Sequence, residues 1–341
     1  MSTLNSFAKG MAAGIRGVAV LTIVTGLTAC ADDASPARPM EPTAASFAKS
    51  SGGGGSQRML FSSNIDGLND GNFEVYSMNP DGTGITRLTN SSGFDVGARW
   101  SPDGKRIAFA SDRYKPGAGA DIFVMNADGT NVVRLTSGAG NNSFPAWSKD
   151  GKQIVFASTR DAATPGSLSS KDLDLYVMNA DGTNVTRLTN TPGKDSEAAW
   201  SPDGRLIAFV SERDHGGTNS SDVYVMNPDG SNVVRLTNQP GTAAFVNWDS
   251  HSRRLAFSVA FGAPNLGIFT MMADGSGLQH IVASPAGSFY ANVNPSWSPD
   301  GSKLAYLCSV PASQVCTVNS DGTGKTELTS GPAGYEYLFW H

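Results

Sequence analysis

Short runs in which apolar and polar residues alternate recur along the chain from residue 57 to residue 341. They are rich in β-branched and aromatic side chains, as in Arg106-Ile-Ala-Phe-Ala-Ser111. Turn sequences such as Pro-Asp-Gly and Asn-x-Asp-Gly separate them. Alternation with a period of two indicates β-strands, and Asp-Gly between strands is typical of tight hairpins. The pattern therefore predicts an all-β domain over residues 57–341.

These strands group into six copies of one unit. Each copy holds one tryptophan in the same register, and the tryptophans lie 43 to 53 residues apart. They are Trp100, Trp147, Trp200, Trp248, Trp297 and Trp340. Each unit supplies four strands, and stacking six four-stranded antiparallel sheets around an axis buries their faces. We predict a six-bladed β-propeller in which the tryptophans serve blade packing.

The two ends of the repeat region predict how the ring closes. The first copy starts at Arg58-Met-Leu-Phe-Ser62 without a preceding tryptophan strand, and the chain stops after an isolated one, Tyr335-Glu-Tyr-Leu-Phe-Trp340. The C-terminal strand is therefore expected to join the N-terminal blade, because its absence would leave sheet edges exposed.

The repeat also resembles that of a known family. Trp-Ser-Pro-Asp-Gly-Lys-x-Ile-Ala-Phe, followed by Met-Asn-x-Asp-Gly-Thr and Leu-Thr, is similar to the repeat of the TolB-type propellers. This resemblance covers essentially all of residues 57–341. It implies a non-enzymatic envelope protein that recruits a protein partner, such as another lipoprotein, at the propeller mouth. The chain departs from TolB in that no α/β domain is expected before the propeller.

The first 56 residues predict export and anchoring. Residues 1–29 have two charges, Lys9 and Arg16, and a ten-residue apolar core, which is typical of a signal peptide. Leu27-Thr-Ala-Cys30 resembles the lipobox of bacterial lipoproteins, so Cys30 is the expected lipidation site; an ordinary cleavable signal is the alternative. Ala31 after the cysteine points to the outer membrane, facing the periplasm. Residues 30–56 are rich in Ala, Ser, Pro and Gly and predict a flexible tether.

Composition narrows the range of partners. The chain has 30 acidic and 25 basic residues, a net charge of −5, and no Lys/Arg cluster. Phosphate backbones and anionic lipid surfaces attract basic patches, so we expect no nucleic-acid partner and membrane contact through the lipid anchor only. We expect a monomer without a cofactor.

The expected binding surface is the mouth, where the loops between strands are longer and more variable than the turns at the other end. At the start of the innermost strands the sequence places a polar, acidic ring. Its members are Asp95, Asn142, Asp195, Glu197, Asn292, Asn294 and Tyr335. This ring is expected to be hydrated, and either to bind a cation or a basic segment of a partner, or to line a water-filled channel.

Other polar residues have structural interpretations. Arg113, which recurs as Arg160 and Arg213, is expected to pair with the aspartate that opens the next strand, which is Asp121 in the first case. Cys308 and Cys316 are expected to face each other across a hairpin turning at residues 311–313, and an exported compartment permits their disulfide. Two buried thiols are the alternative.

The sequence offers little for catalysis. It contains no Gly-x-Ser-x-Gly elbow and no His-Glu-x-x-His motif, and its four histidines are dispersed. No catalytic residue and no metal site is predicted. The leading hypothesis is a non-enzymatic envelope binding protein. The alternatives are a metal-dependent propeller enzyme, such as a lactonase or a polysaccharide lyase, and a glycan- or peptidoglycan-binding module; an enzyme of that kind would need Asp95, Asp195 and Glu197 to converge.

Overall fold

A computed structural model describes most of the repeat region. The described residues are 57–66, 72–138, 140–162, 173–216, 220–238, 241–260, 265–285, 292–309 and 313–341. The predicted signal peptide and tether, including Cys30, lie outside them. Within the described ranges, the regular structure consists of 24 β-strands arranged in six four-stranded antiparallel sheets.

Six strands, one per sheet, end at or beside the repeated tryptophan. They are β4 (Asp95–Trp100), β8 (Asn142–Trp147), β12 (Asp195–Trp200), β16 (Thr242–Trp248), β20 (Val293–Trp297) and β24 (Tyr335–Trp340). These six strands contact one another in a closed ring and are therefore the innermost strands of the blades.

The other strands lie outside this ring. The first blade adds β1 (Met59–Ser63), β2 (Glu74–Met78) and β3 (Thr86–Arg87); the second adds β5 (Arg106–Ser111), β6 (Asp121–Asn126) and β7 (Val133–Arg134); the third adds β9 (Gln153–Ser158), β10 (Asp174–Asn179) and β11 (Thr186–Arg187). The fourth adds β13 (Ile207–Ser211), β14 (Asp222–Met226) and β15 (Val234–Arg235); the fifth adds β17 (Arg254–Ala260), β18 (Gly267–Met272) and β19 (Gln279–Ala283); the sixth adds β21 (Lys303–Ser309), β22 (Ser313–Asn319) and β23 (Thr326–Glu327).

The predicted closure of the ring is confirmed. The first sheet has the order β24-β1-β2-β3, so the C-terminal strand is the innermost strand of the N-terminal blade. Met59 pairs with Trp340, and Ser63 pairs with Tyr335. The repeat region is therefore a six-bladed β-propeller, and its last strand joins the two ends of that region.

The hydrophobic core lies between neighbouring blades. Trp100 of the second blade packs with Leu60 and Val75 of the first, and all three are buried. The Asp-Gly turns make a second contact between blades. Gly82 has φ +85°, and a Cβ atom on it would lie 2.6 Å from the carbonyl oxygen of Leu328 in the preceding blade. Positive φ and this close approach both require glycine, which explains why Asp-Gly and Leu-Thr recur together.

The two ends of the blades differ. One end, called here the turn face, carries the Ser-Pro-Asp-Gly and Asn-x-Asp-Gly turns. In these turns the aspartate caps its own backbone: Asp81 Oδ1 accepts hydrogen bonds from the backbone N–H and the hydroxyl of Thr83. The opposite end, called the mouth face, carries the starts of the innermost strands and the longer loops, such as residues 112–120.

Candidate functional site at the propeller axis

The predicted polar ring occupies the mouth-face end of the innermost strands, but most of it is buried. Asp95 and Asp195 are fully buried. The other buried members are Asn142, Asn292, Asn294 and Tyr335, each at most 3% exposed. The expectation that these groups are hydrated is wrong for this part of the ring, because their side chains are enclosed by protein.

Each buried aspartate of the ring has an arginine partner. Arg113 Nη2 donates to Asp95 Oδ2 at 2.7 Å. Arg213 Nη2 lies 3.0 Å from Asp195 Oδ1. In the third blade, where the ring residue is Asn142, Arg160 Nη2 donates to its side-chain oxygen at 3.0 Å. A buried carboxylate requires such a partner, because desolvation of an unpaired charge is costly.

The expected pairing of Arg113 with Asp121 is therefore incorrect. Asp121 instead pairs with Arg134 at 2.5 Å and with Lys115 at 3.2 Å. Likewise, Arg160 and Arg213 do not pair with the aspartates of their next strands, because these bind arginines of the outermost strands. The strand order makes both pairings possible, because Ser111 of β5 pairs with both Asp95 and Asp121. The arginine two residues later can therefore reach either carboxylate.

Aromatic rings hold these arginines in place. The Arg113 guanidinium carbon lies 5.3 Å from the centre of the Phe109 ring and 4.9 Å from that of Phe123. Its Nε donates to Ser111 Oγ at 3.0 Å. Arg160 and Arg213 have the same arrangement in the next two blades. The three arginines therefore form a rigid layer beneath the mouth.

A second ring lies further along the axis and was only partly predicted. Three residues before each tryptophan, the backbone has positive φ, between 51° and 67°. These six residues are Gly97, Phe144, Glu197, Phe245, Asn294 and Tyr337. The pairing register of every innermost strand shifts at this point, so each position is a β-bulge. Positive φ is costly for Phe, Glu and Tyr, and such strain is concentrated at sites where function or packing demands it.

Three aromatic residues of this second ring come from alternate blades and meet at the axis. Tyr337 lies 5.9 Å from Phe144 and 6.3 Å from Phe245, measured between ring centres. The sequence suggested a water-filled channel as one alternative. At this level the three aromatic rings line the axial space.

The polar members of the second ring bind the backbone of the next blade. Glu197 Oε2 accepts a hydrogen bond from the backbone N–H of Phe245. The side-chain amide of Asn294 is oriented so that both its oxygen and its nitrogen have partners. Its oxygen accepts hydrogen bonds from the N–H groups of Leu338 and Tyr337 at 2.9 and 3.2 Å. These contacts join innermost strands that share no ladder hydrogen bonds.

Several ionisable groups near the axis have shifted pKa values, and three of them are carboxyl or guanidinium groups. Burial raises the pKa of Glu197 and that of Glu336 to about 7. Burial lowers the pKa of the Arg99 guanidinium to about 10. Arg99 lines a cleft together with Glu197 and Tyr337. Arg99 and the aromatic residues were not among the site residues predicted from the sequence. When the six copies are aligned on their tryptophans, only one innermost strand carries a cation near its end.

Asp95, Asp195 and Glu197 do not converge on a common point in the way that a metal-dependent enzyme would require. Two of them are held by arginines and the third by a backbone N–H. Within the described ranges, no group of three His, Cys, Asp or Glu side chains could hold a metal ion. The same ranges contain no helix that is long and apolar enough to cross a membrane.

Cys308 and Cys316 are joined as a disulfide in the structure, with their Cα atoms 5.9 Å apart. They do not face each other directly. Cys308 is opposite Gln314 and Cys316 is opposite Tyr306, so the cysteines are diagonal neighbours on one face of the sheet. The hairpin is centred one residue earlier than expected, which moves each pairing partner by two positions and keeps both sulfurs on the same side.

The fold and the arrangement of residues at the axis define a propeller of the class that is built from Trp-Ser-Pro-Asp-Gly repeats. Residues 166–336 match the family described as TolB beta propeller domain, and the chain belongs to that family. The chain is 29% identical over 159 residues to the protein TolB homolog of Chlorobium luteolum and 34% identical over 143 residues to that of Chlorobium chlorochromatii. These alignments cover 46% and 42% of this chain but only 33% and 29% of the relatives. The chain therefore spans about a third of the length of the relatives it matches.

Solved structures share the fold. TolB from Acinetobacter baumannii superposes with a TM-score of 0.71 at 22% identity, covering 84% of this chain and 66% of the other. An oligogalacturonate lyase from Vibrio parahaemolyticus superposes with a TM-score of 0.54 at 15% identity, covering 80% and 74%. At these identities the likeness extends to the fold alone.

Proposed function

We propose that this chain is a non-enzymatic binding and scaffold protein of the cell envelope, which recruits a protein partner at its mouth face. The observation that carries this proposal is the use of the mouth carboxylates by the fold. Asp95 and Asp195 are fully buried and neutralised by Arg113 and Arg213. Groups that are buried and paired in this way serve the fold, and they support the loops above them.

The buried polar ring of the mouth thus supports a contact surface. The side chains that would touch a partner belong to the loops above the ring. Tyr114, in the loop of residues 112–120, is 65% exposed. Its ring stacks on Phe123 at 5.9 Å and lies 5.0 Å from the Arg134 guanidinium. Lys115 in the same loop donates to the carbonyl oxygen of Gly138 at 2.7 Å. An exposed tyrosine on an ordered loop loses little side-chain entropy on binding, which is typical of residues that dominate protein interfaces.

The two alternatives receive less support. A metal-dependent lactonase or polysaccharide lyase would need the convergent ligands that the arginine pairs remove. A glycan- or peptidoglycan-binding module would use exposed aromatic platforms for sugar stacking. Five of the six repeated tryptophans are at most 8% exposed, among them Trp100 and Trp297, and are packed between blades, so their faces are covered by protein.

A lipid anchor at Cys30 would hold the propeller at the outer membrane facing the periplasm, where an envelope protein such as another lipoprotein would be its partner. Changing Cys30→Ala tests this part of the proposal. The variant should move from the membrane fraction to the soluble periplasmic fraction, with an unchanged melting temperature. Unaltered membrane association of the variant would show that Cys30 is not the anchor.

Partner recruitment is tested by affinity purification of the full chain from envelope extract, with quantitative mass spectrometry of the captured proteins. A specific partner should be recovered with the wild type and lost with Tyr114→Ala. The control variant is Val234→Ala, which removes an exposed apolar side chain from the outermost strand β15. Equal loss in both variants, or in neither, would contradict binding through the mouth face.

A further inference from the structure

Two buried carboxyl groups meet where the first blade contacts the second, at the mouth-face end. Glu74 of β2 is 2% exposed and Asp95 of β4 is fully buried. The backbone N–H of Asp95 donates to the carbonyl oxygen of Phe73 at 2.8 Å, which places the two side chains beside each other. Ser91 joins them, because its N–H donates to Glu74 Oε1 at 2.8 Å and its hydroxyl to Asp95 Oδ2 at 3.2 Å. The two carboxyl groups lie within hydrogen-bonding reach of each other.

One oxygen of this pair lacks a donor. Asp95 Oδ2 is held by Arg113, but Asp95 Oδ1 is buried and has no hydrogen-bond partner among the described residues. Both oxygens of Glu74 accept hydrogen bonds, Oε1 from Arg87 at 3.0 Å and Oε2 from the Thr89 hydroxyl at 2.5 Å. A buried carboxylate oxygen without a donor is costly. The Glu74 carboxyl group beside it can supply a donor only if it carries a proton.

The contact between the second and third blades shows which kind of group serves at this place. There, Asn142 occupies the position of Asp95, and its backbone N–H donates to the carbonyl oxygen of Ala120 in the same way. Its side-chain Nδ2 donates to Asp121 Oδ1 at 3.1 Å, across the boundary between the blades. An amide thus supplies the hydrogen that two ionised carboxyl groups would lack.

The charges around Glu74 and Asp95 also favour a proton. Arg87 Nη2 lies 3.0 Å from Glu74, and Arg87 Nη1 lies 3.7 Å from Asp66. Arg113 binds Asp95. With every group ionised, three carboxylates face two guanidinium groups, and one added proton makes the cluster neutral. Burial and the neighbouring Asp95 carboxyl group raise the pKa of Glu74.

Two further titratable groups lie beside this cluster. Asp112 is a buried carboxyl group that accepts from the backbone N–H groups of Phe94 and Gly117 at 2.8 and 2.9 Å. The Tyr76 hydroxyl donates to Asp66 at 2.9 Å, and burial raises the pKa of Tyr76, which keeps it uncharged at neutral pH. Neither group adds a positive charge to the cluster.

We propose that Glu74 and Asp95 share one proton at neutral pH, and that this proton bonds the first blade to the second at the mouth face. The carboxyl O–H of Glu74 donates to Asp95 Oδ1. Loss of the proton at higher pH leaves two carboxylates facing each other without a donor, which weakens the contact. Asp95 also holds the loop of residues 112–120 through Arg113, so the proton makes the position of this loop sensitive to pH. Because both carboxyl groups belong to the fold, the proton can be tested without any partner of the mouth.

Infrared difference spectroscopy of the full chain in heavy water at neutral pH tests for the proton. A protonated carboxyl group has a C=O stretching band that is separate from those of carboxylates and amides. Glu74→Gln and Asp95→Asn each replace the proton with an amide hydrogen, so one such band of the wild type should be missing from both variants. The matched control is Asp121→Asn, which removes a carboxyl group that already has an amide donor and should keep the band. Contributions from Glu197 and Glu336 are common to all four proteins and cancel in the differences.

Denaturant unfolding across pH gives a second test. Glu74→Gln should fold, because Gln314 occupies the same place in the sixth blade, where its side-chain oxygen accepts from Thr329 at 3.0 Å. A raised pKa of Glu74 means that the folded state binds the proton more tightly than the unfolded state does. The stability of the wild type relative to Glu74→Gln should therefore be constant below about pH 4.5 and fall as the pH rises above it, by up to about tenfold in the unfolding equilibrium constant per pH unit.

Four results would overturn the proposal. The first is the absence of any difference band between the wild type and the two folded variants. The second is a band that is lost in Glu74→Gln but kept in Asp95→Asn, since the proton would then belong to Glu74 alone. The third is equal loss of the band in Asp121→Asn. The fourth is a stability difference between the wild type and Glu74→Gln that does not change with pH.

Discussion

Arg113 donates a hydrogen bond to Asp95 at 2.7 Å and so joins the loop after β5 to the start of the innermost strand β4. Asp95 is fully buried, while the Arg113 side chain is 16% exposed. The pair fixes the position of the mouth loop relative to the axis. The same relationship between Arg213 and Asp195 does so in the fourth blade.

This relationship predicts an order of stability among variants. Asp95→Ala leaves the Arg113 guanidinium without its acceptor and should lower the free energy of unfolding by about 3 kcal/mol. Asp95→Asn reproduces the arrangement of the third blade, where Arg160 binds the side-chain oxygen of Asn142, and should cost about 1 kcal/mol. Denaturant unfolding measures both. If the two variants were equally destabilised, the buried ion pair would not be the relevant interaction.

The strand pattern predicted the blades and their closure, but it could not predict which aspartate Arg113 binds. Sequence separation favoured Asp121, which is closer along the chain. In space, Asp95 and Asp121 flank the same strand at the same level. The choice depends on Arg134, a residue of the outermost strand, which already binds Asp121. Competition between two arginines for one aspartate arises only when the strands of the sheet are assembled, so the sequence alone does not show it.

The bulges of the innermost strands were also not predicted from the sequence. Their six positions hold Gly, Phe, Glu, Phe, Asn and Tyr, and only Gly and Asn adopt positive φ readily. From the sequence, Phe144 and Tyr337 are therefore predicted to be ordinary strand residues. Packing at the axis imposes their backbone conformation, since rings from alternate blades meet there. The candidate site could not be found from any single copy of the repeat.

The closing strand β24 should be essential for stability. Leu338 is fully buried and packs with Phe61 of β1. Leu338→Ala should lower the free energy of unfolding by about 2–5 kcal/mol. Deleting residues 335–341 should abolish cooperative unfolding, because it exposes the edge of β1. A melting temperature unaffected by either change would contradict closure through β24.

The Cys308–Cys316 disulfide should stabilise the last blade. The cysteines are eight residues apart, and closing so short a loop contributes about 2–3 kcal/mol in the chain-entropy description. The intact protein should be lighter than its reduced form by two hydrogens at this pair, and thiol labelling should fail at both residues until reductant is added. The double variant Cys308→Ala with Cys316→Ala should then unfold at lower denaturant concentration. Full labelling of both thiols in exported protein unfolded without reductant would refute the bond.

Glu336 predicts a pH dependence of stability. Burial raises its pKa from 4.5 to about 7, so the folded state binds this proton more tightly than the unfolded state does. The stability of the wild type relative to Glu336→Gln should be constant below about pH 4.5. It should fall as the pH rises towards about 7, by up to about 3 kcal/mol, and be constant above. Denaturant unfolding of both proteins across this range measures the difference. A difference that does not change with pH would show that Glu336 ionises normally in the folded protein.

Site-specific photo-crosslinking in living cells is a direct test of partner recruitment at the mouth face. A photoreactive amino acid replaces Tyr114 in the full chain, and a second protein carries it at Lys152, an exposed residue of the turn face next to Gly151. We predict a discrete protein adduct from position 114 and none from position 152. Adducts of equal yield from both positions, or an adduct from position 152 alone, would contradict binding at the mouth face.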